Sequence, residues 1–292
     1  MKPAPFEYFR PRTLEEALAL LAEHAGEAKP LAGGQSLIPA MNFRLATPAA
    51  LVDLNALTEL AYIKDESDGL CLGGMTRQRA IERSLVVAKQ APLVAETMPF
   101  IAHAAIRNRG TVGGSLAHAD PAAELPAVML ALNAQFRLRS STASRTVDAD
   151  DFFVGLFSTA IVPGELLTEI TIPKTPLRTG FAFQEISRRH GDFALVGVAA
   201  SVTVDEQGKC TAARLALLSV GDRPMLARHA TKALLGQVPS VEAIRAAAHA
   251  AAADDIDPST DIHASARYRR HLANVLTRRT LTLAFDRVST GD

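Results

Sequence analysis

Cysteine is scarce in this chain: its 292 residues include only two, Cys71 and Cys210, which are far apart and outside any Cys-x-x-Cys spacing. A plant-type 2Fe–2S cluster needs four thiolates, and the sequence has no clustered set of metal ligands elsewhere. The chain therefore cannot hold an iron–sulfur cluster by itself. Each cysteine is predicted to be a small buried apolar residue.

Net charge and long apolar runs are missing too. The 31 basic and 31 acidic residues cancel, so no basic field exists to attract nucleic acid or an anionic membrane. The longest apolar runs, such as residues 125–132, are far too short to cross a bilayer. Residues 1–6 lack the apolar core of a signal peptide. We therefore expect a cytoplasmic protein that neither spans a membrane nor binds nucleic acid.

Familiar nucleotide-binding and catalytic fingerprints are absent as well. No G-x-G-x-x-G follows a strand, and no Gly-Lys-Ser/Thr sequence forms a P-loop. The sequence has neither a G-x-S-x-G nucleophile elbow nor a paired Cys/His spacing. Protein side chains need not carry out the reaction when a bound cofactor does so.

What the sequence does contain is two glycine-rich turns of similar design. The first glycine loop is residues 31–37 (LAGGQSL), and the second glycine loop is residues 106–115 (IRNRGTVGGS). Glycine permits positive φ and lets a bulky anion come up to the backbone, and successive N–H groups can converge on that anion. Two such loops could hold a pyrophosphate between them. Ordinary tight turns between strands and helices are the alternative.

Capping signals and apolar periodicity predict the elements around these loops. Thr13 opens a capping box at the start of a helix, and Thr76 is the predicted cap of another. A single apolar helix is predicted over 92–106, with a partly buried His103 inside it. The Asp120-Pro121 pair predicts the N-terminus of a further helix.

The chain is long enough for two domains. The pattern of strands and helices breaks at residues 174–180, and we expect the domain boundary there. The predicted domains are residues 1–176, with subdomains of about 1–57 and 58–176, and residues 177–292. Further helices are predicted over 225–235, 241–253 and 265–287.

The order of the motifs resembles that of a known family. The motifs are residues 32–36 (AGGQS), 51–55 (LVDLN), 72–77 (LGGMTR), 106–114 (IRNRGTVGG) and 117–121 (AHADP). They are similar to those of the FAD-binding medium subunits of molybdenum hydroxylases, the carbon monoxide dehydrogenase and xanthine dehydrogenase family. The resemblance implies an α+β fold with a FAD-binding domain of the PCMH/vanillyl-alcohol-oxidase type in two subdomains. A smaller C-terminal α+β domain of the CO dehydrogenase flavoprotein type would follow.

The resemblance also implies a division of labour among subunits. This chain would bind FAD and pass electrons to an external acceptor. A large partner subunit would hold the molybdenum cofactor, and a small partner subunit would hold 2Fe–2S clusters, as a dimer of heterotrimers. The sequence does not reveal the hydroxylated substrate, nor whether the acceptor is NAD⁺, a quinone, a carrier protein or O₂. We expect the FAD to be non-covalent, because neither loop has a histidine or cysteine at its apex.

By family motif, the two glycine loops bind the pyrophosphate of FAD. The residues so assigned are Leu31, Ala32, Gly33, Gly34, Gln35, Ser36, Leu37, Thr111, Gly113, Gly114 and Ser115. Ser36 could equally cap the short helix that follows it. A valine at Gly33 or Gly114 is expected to abolish FAD retention by blocking the pyrophosphate.

Other positions match residues that line the cofactor in the family. Glu124 matches an acidic residue that approaches the adenosine, although the helix dipole also favours a glutamate in a first turn. Phe193 matches an aromatic residue near the isoalloxazine, with a core phenylalanine as the alternative. His118 and Asp120 belong to the same motif as the second glycine loop, and capping alone could explain Asp120. The remaining matched positions are Ile101, Leu167 and Gln184.

Several arginines have two possible roles. Arg107 and Arg109 flank the second glycine loop, where they could offset phosphate charge, and Arg107 could also face a partner subunit. The last predicted helix carries five more, which would form a solvated face or a subunit contact: Arg267, Arg269, Arg270, Arg278 and Arg279.

Two other functions remain as alternatives. A stand-alone FAD oxidase of the same broad fold would need a catalytic base beside the flavin, and the sequence offers no clear candidate. A non-enzymatic binding or assembly protein would use the glycine loops merely as turns. A yellow chromophore that co-purifies with the chain would exclude this second alternative.

Overall fold

The computed structural model describes residues 2–288, so the predicted outer ends of the two domains, residues 1 and 292, lie outside the described range. Within this range the strands form three sheets and a two-stranded ribbon. No helix of residues 2–288 has the length and apolar character needed to cross a membrane.

The first sheet carries the first glycine loop. Its strands β1 (Glu7–Phe9), β2 (Ala28–Leu31) and β3 (Ala50–Asp53) are parallel and lie in the order β1-β3-β2. Helix α1 (Leu14–Glu23) packs against them, and its N-terminus is capped by Thr13 as predicted, since the Thr13 hydroxyl accepts the Glu16 N–H at 3.2 Å. The loop follows β2 directly and leads into α2 (Leu37–Asn42).

The second sheet is antiparallel and has the order β4-β5-β10-β6-β7. The strands of this sheet and of the ribbon are β4 (Ile63–Asp65), β5 (Gly69–Gly73), β6 (Gln135–Arg139), β7 (Ser144–Asp148), β8 (Phe153–Gly155), β9 (Ser158–Thr159) and β10 (Leu166–Pro173). The helices of this region are α3 (Gln78–Arg83), α4 (Leu85–Gln90), α5 (Pro92–Thr97), α6 (Ala104–Arg107), α7 (Val112–His118), α8 (Glu124–Ala131) and α9 (Ala149–Phe152).

The single helix predicted over 92–106 is wrong. Helix α5 ends at Thr97, a 3₁₀ turn covers Met98–Phe100, and Ala102 has a positive φ of 45° before α6 begins. Pro99 lies in this turn, where it lacks the N–H and has the fixed φ that disfavour continuing an α-helix. His103 is therefore an exposed residue at the N-cap of α6, and not a partly buried residue inside a helix.

Two predicted helix caps are also wrong, because both side chains have other partners. The Asp120 carboxylate accepts the Ala122 N–H at 2.9 Å, which forms a turn, so that α8 starts only at Glu124. The Thr76 hydroxyl donates to the carbonyl of Tyr62 at 2.8 Å and accepts the Tyr62 N–H, leaving Arg77 at the N-cap of α3.

The C-terminal region forms the third sheet, antiparallel in the order β11-β12-β13-β14, with three helices on one face. Its elements are β11 (Thr179–Ser187), β12 (Ala194–Val204), β13 (Cys210–Leu218), β14 (Met225–Leu226), α10 (Arg228–Leu234), α11 (Val241–Asp254) and α12 (Ala266–Asp286). The helix predicted over 225–235 starts later, because Met225 pairs with Leu217 as a strand.

The other face of this sheet packs against the preceding region. Phe181 and Phe183 on β11 belong to the same buried cluster as Val128 on α8, and the rings of Phe100 and Phe183 lie 5.2 Å apart at an angle of 62°. The predicted boundary at 174–180 is thus a change of sheet within a continuous core.

The arginines of α12 do not share one role. Arg269 is buried, donates to the carbonyls of Leu195 and Ser219, and pairs with Asp261 at 2.7 Å. It joins α12 to the sheet, so its prediction as a surface or subunit-contact residue is wrong.

Candidate functional site

The two glycine loops lie directly against each other. A Cβ on Gly33 would lie 2.5 Å from the carbonyl oxygen of Arg109 and 2.8 Å from the Cα of Gly110. A Cβ on Gly114 would lie 3.4 Å from the Cβ of Ala32. The 3.4 Å distance at Gly114 is an ordinary contact, whereas at Gly33 the loops can approach this closely only because that position carries no side chain.

The first glycine loop has unused hydrogen-bond donors. Within residues 2–288, the backbone N–H groups of residues 33–36 donate to no protein acceptor, although Gln35 Nε2 donates to the carbonyl of Gly33 at 3.1 Å. Gly34 has a φ of 71°, the left-handed conformation that helps consecutive N–H groups form an anion-binding concavity. Ser36 makes no capping bond to α2 and is exposed, so its hydroxyl is also available to a ligand.

The second glycine loop differs, because most of its N–H groups, including those of its glycines, are used within the protein. The N–H of Val112 donates to Thr76, that of Gly113 donates to Gly74 at 2.9 Å, and that of Gly114 donates to the Thr111 hydroxyl at 3.0 Å. Thr111 is the N-cap of α7. The sequence motif therefore contains the start of a helix that is hydrogen-bonded to its neighbours. Its glycines allow close backbone packing more than they provide N–H donors for an anion.

Asn55 and Arg77 lie beside both loops, although sequence analysis assigned them no role. Asn55 Nδ2 donates to the carbonyl of Ala32 at 3.1 Å, and Arg77 donates to the carbonyl of Arg109. Both residues occur in motifs that follow strand ends, at β3 and β5. A search for polar residues at those strand ends would have identified them.

Arg107 has a structural role beside the second glycine loop. Its guanidinium pairs with both carboxylate oxygens of Glu82, at 3.0 and 2.9 Å, and donates to the carbonyls of Ile101 and Ala102. The bonds from Arg107, together with one from Arg79, lower the pKa of Glu82 to about 2. Arg107 is buried, so the prediction that it could face a partner subunit is wrong. Arg109, in contrast, is exposed and forms no ion pair within the described residues.

Apart from the glycine loops, two acidic residues, Glu124 on α8 and Glu185 on β11, lie close enough to interact electrostatically. Glu124 is only 7% exposed, and burial raises its pKa to about 7, with the nearby Asp120 acting in the same direction. Burial also raises the pKa of Glu185 to about 8, with a contribution from Glu124. One carboxylate oxygen of Glu185 is buried without a hydrogen-bond partner in residues 2–288. The pair therefore holds protons near neutral pH.

The remaining predicted site residues are spread more widely. Ile101 and Leu167 are buried in the core, and the His118 ring lies 5.1 Å from that of Phe157. Phe193 is 70% exposed, which excludes the alternative that it is a core residue.

Gln184 lies apart from the glycine loops. It lines a groove of about 870 Å³ with residues of α11 and α12, whereas its neighbours Phe183 and Glu185 face the region that contains α8. The cofactor roles of all these residues stay predictions.

The geometry of the loops fits a diphosphate-bearing cofactor such as FAD. Two consecutive glycines at positions 33 and 34, free N–H donors at residues 33–36, and the exposed cation of Arg109 are groups that suit a pyrophosphate. The described residues contain no group of three or more His, Cys, Asp or Glu that could hold a metal ion.

Comparisons with known proteins agree with this geometry. Residues 4–175 match the family "FAD binding domain in molybdopterin dehydrogenase", and residues 181–284 match "CO dehydrogenase flavoprotein C-terminal domain". The 6-hydroxypseudooxynicotine dehydrogenase complex subunit alpha of Paenarthrobacter nicotinovorans is 43% identical, over 98% of this chain and 97% of that protein. Caffeine dehydrogenase subunit beta of Pseudomonas sp. (strain CBB1) is 38% identical, over 99% of this chain and 97% of that protein.

A solved structure is similar over nearly its whole length. It is carbon monoxide dehydrogenase from Hydrogenophaga pseudoflava lacking the Mo-pyranopterin moiety, with a TM-score of 0.96 and 38% identity, covering 99% of this chain and 100% of that one. The chain therefore belongs to the family of FAD-binding subunits of the molybdenum hydroxylases, which includes the carbon monoxide dehydrogenase medium chain.

Proposed function

We propose that this chain is the FAD-carrying electron-transfer subunit of a multi-subunit molybdenum hydroxylase. It would accept electrons from iron–sulfur centres of a small partner subunit and pass them to an external acceptor. The observation that carries the proposal is the pair of glycine loops in backbone contact, with the free N–H groups of residues 33–36 beside them.

In this proposal the protein binds and orients the cofactor. The first glycine loop donates N–H groups to the pyrophosphate, the glycines allow its close approach, and the exposed Arg109 offsets its charge. The bound FAD supplies the redox chemistry. Phe193, exposed immediately before β12, is the proposed aromatic contact of the isoalloxazine.

The other redox centres are assigned to partner subunits. Cys210 is buried and Cys71 is half-buried on a strand, so the two thiols cannot provide the four ligands of a 2Fe–2S cluster. Relatives of similar identity are named for different substrates, 6-hydroxypseudooxynicotine and caffeine. We therefore assign substrate choice to a large molybdenum-binding subunit. The proposed assembly is a cytoplasmic dimer of heterotrimers.

We also propose the division into a FAD-binding domain, residues 1–176, and a C-terminal flavoprotein domain, residues 177–292. Support comes from the change of sheet between β10 and β11 and from the two family matches, which meet between residues 175 and 181.

The test is to purify the chain alone, record its absorbance spectrum, and assay it against heterocycles, aldehydes and CO before and after adding partner subunits. We expect a flavin-only spectrum and no hydroxylation by the lone chain, with FAD still reducible by dithionite. Turnover should appear only with both partners. Robust turnover by the lone chain would instead support a stand-alone oxidase, and absence of flavin uptake would refute the cofactor assignment.

A further inference from the structure

A chain of hydrogen bonds links four side chains beneath the two glycine loops. The Tyr8 hydroxyl donates to one carboxylate oxygen of Asp53, at the end of β3. The other oxygen accepts both the backbone N–H of Asn55, at 3.0 Å, and its Nδ2 group. Arg77 then donates to Asn55 Oδ1 at 2.5 Å. We refer to Tyr8, Asp53, Asn55 and Arg77 as the loop clamp.

The loop clamp reaches the main chain of both glycine loops. Asn55 Nδ2 donates to the carbonyl of Ala32, and the other terminal nitrogen of Arg77 donates to the carbonyl of Arg109. These carbonyls flank the point where Gly33 meets the second loop. Because Asn55 and Arg77 are also bonded to each other, they fix the distance between the loops.

The chemistry of each side chain is matched to this task. The amide of Asn55 has one possible orientation, since its NH₂ group faces a carbonyl and a carboxylate while its oxygen faces a guanidinium. The planar guanidinium of Arg77 can point separate N–H groups at Asn55 and Arg109 together. A lysine has a single nitrogen and cannot reproduce that fork.

The charges around the clamp favour an anion. Burial acts to raise the pKa of Asp53, but the hydrogen bonds from Tyr8 and Asn55 outweigh it and hold that pKa below its usual value. Burial and the neighbouring Arg109 lower the pKa of Arg77. The charges that act on Arg77 are thus one carboxylate, Asp53, and one further cation, Arg109, which has no acidic partner within the described residues. Arg10 adds a positive charge near Asp53.

We propose that Arg77 and Asn55 are positioning residues for FAD: they hold the two glycine loops at the separation that the pyrophosphate requires, through the loop backbones and without contacting the cofactor. This inference rests on the proposed function and names the residues that preorganise its binding site.

The test is FAD affinity of the apoprotein, measured by quenching of flavin fluorescence for Arg77→Lys, Asn55→Ser and the double variant. A hydrogen bond to a charged group contributes enough free energy that the loss of one by either single change should weaken FAD binding roughly tenfold or more. The double variant should bind no more weakly than the weaker single variant, because both changes break the same clamp. Arg83→Lys, an exposed position on the same helix, is the matched control and should bind like the wild type.

Several outcomes would overturn the inference. If Arg77→Lys and Asn55→Ser both bind FAD within twofold of the wild-type affinity, the loop clamp does not position the loops. If the losses of FAD binding free energy in the two single variants add up in the double variant, Asn55 and Arg77 act independently of each other. If Arg77→Met binds FAD weakly while Arg77→Lys binds it like the wild type, the positive charge of residue 77 alone is responsible for the effect. If circular dichroism shows one variant unfolded, the other carries the test. A wild-type chain that takes up no FAD would instead refute the proposed cofactor site.

Discussion

The substitution Gly33→Ala tests how the two glycine loops work. A new Cβ would lie 2.5 Å from the carbonyl oxygen of Arg109, whereas ordinary van der Waals contact begins at 3.4 Å, so the loops must separate by about 1 Å. The obstacle is protein backbone, which differs from the reason expected from sequence, namely a side chain that blocks the phosphate itself.

The strain that Gly33→Ala introduces between the loops can be taken from the cost of overpacking, which is about 1–3 kcal/mol for a methyl group inserted into a close-packed contact. In the free protein the loops can relieve this strain by moving apart. Binding FAD between them would restore the strain, so the FAD dissociation constant should rise about 5- to 150-fold, at 1.4 kcal/mol per factor of ten.

The assay is titration of apoprotein with FAD, followed by flavin fluorescence, with circular dichroism to verify folding. The matched control is Gly155→Ala, because the nearest heavy atom to its added Cβ is 3.8 Å away and the residue has no positive φ. The control should bind FAD normally. A Gly33→Ala protein with a wild-type dissociation constant would refute the argument that loop contact sets cofactor affinity.

Further predictions concern protonation, a buried ion pair and the cofactor linkage. Burial raises the pKa of Glu124 to about 7 and that of Glu185 to about 8, so the stability that comes from their protonation is fully present below pH 4.5 and is lost as pH rises through 7–8. Glu185→Gln should therefore raise the unfolding temperature at pH 8.5 much more than at pH 5. Equal increases at both pH values would contradict this. Arg107→Leu leaves Glu82 paired with Arg79 alone and should cost about 1.5–3 kcal/mol in urea unfolding at pH 7, with an exposed-site change, Arg83→Leu, as the near-neutral control. Acid precipitation should release all flavin into the supernatant, since neither loop has a histidine or cysteine at its apex; yellow colour kept in the pellet would show a covalent bond.

Sequence alone determined the family, the fold class and the two loops that meet at the candidate site. These features depend on local order: glycine pairs that follow a strand, a capping threonine at Thr13, and motifs in a fixed succession. The lack of an iron–sulfur site also follows from counting cysteines. Such signals lie within a few residues of each other, so they can be read along the chain.

Only the tertiary structure decided which polar groups are free and which are used. The N–H groups of the two loops look equivalent in sequence, yet those of residues 112–114 in the second are bonded to Gly74, Thr76 and Thr111, while those of residues 33–36 are unused. Asp120 and Thr76 have good capping chemistry but other partners. The hydrogen bond between Asn55 and Arg77, and the electrostatic repulsion between Glu124 and Glu185, involve residues distant in sequence. Hydrogen bonding and burial depend on what lies across the fold, and a local pattern does not contain that information.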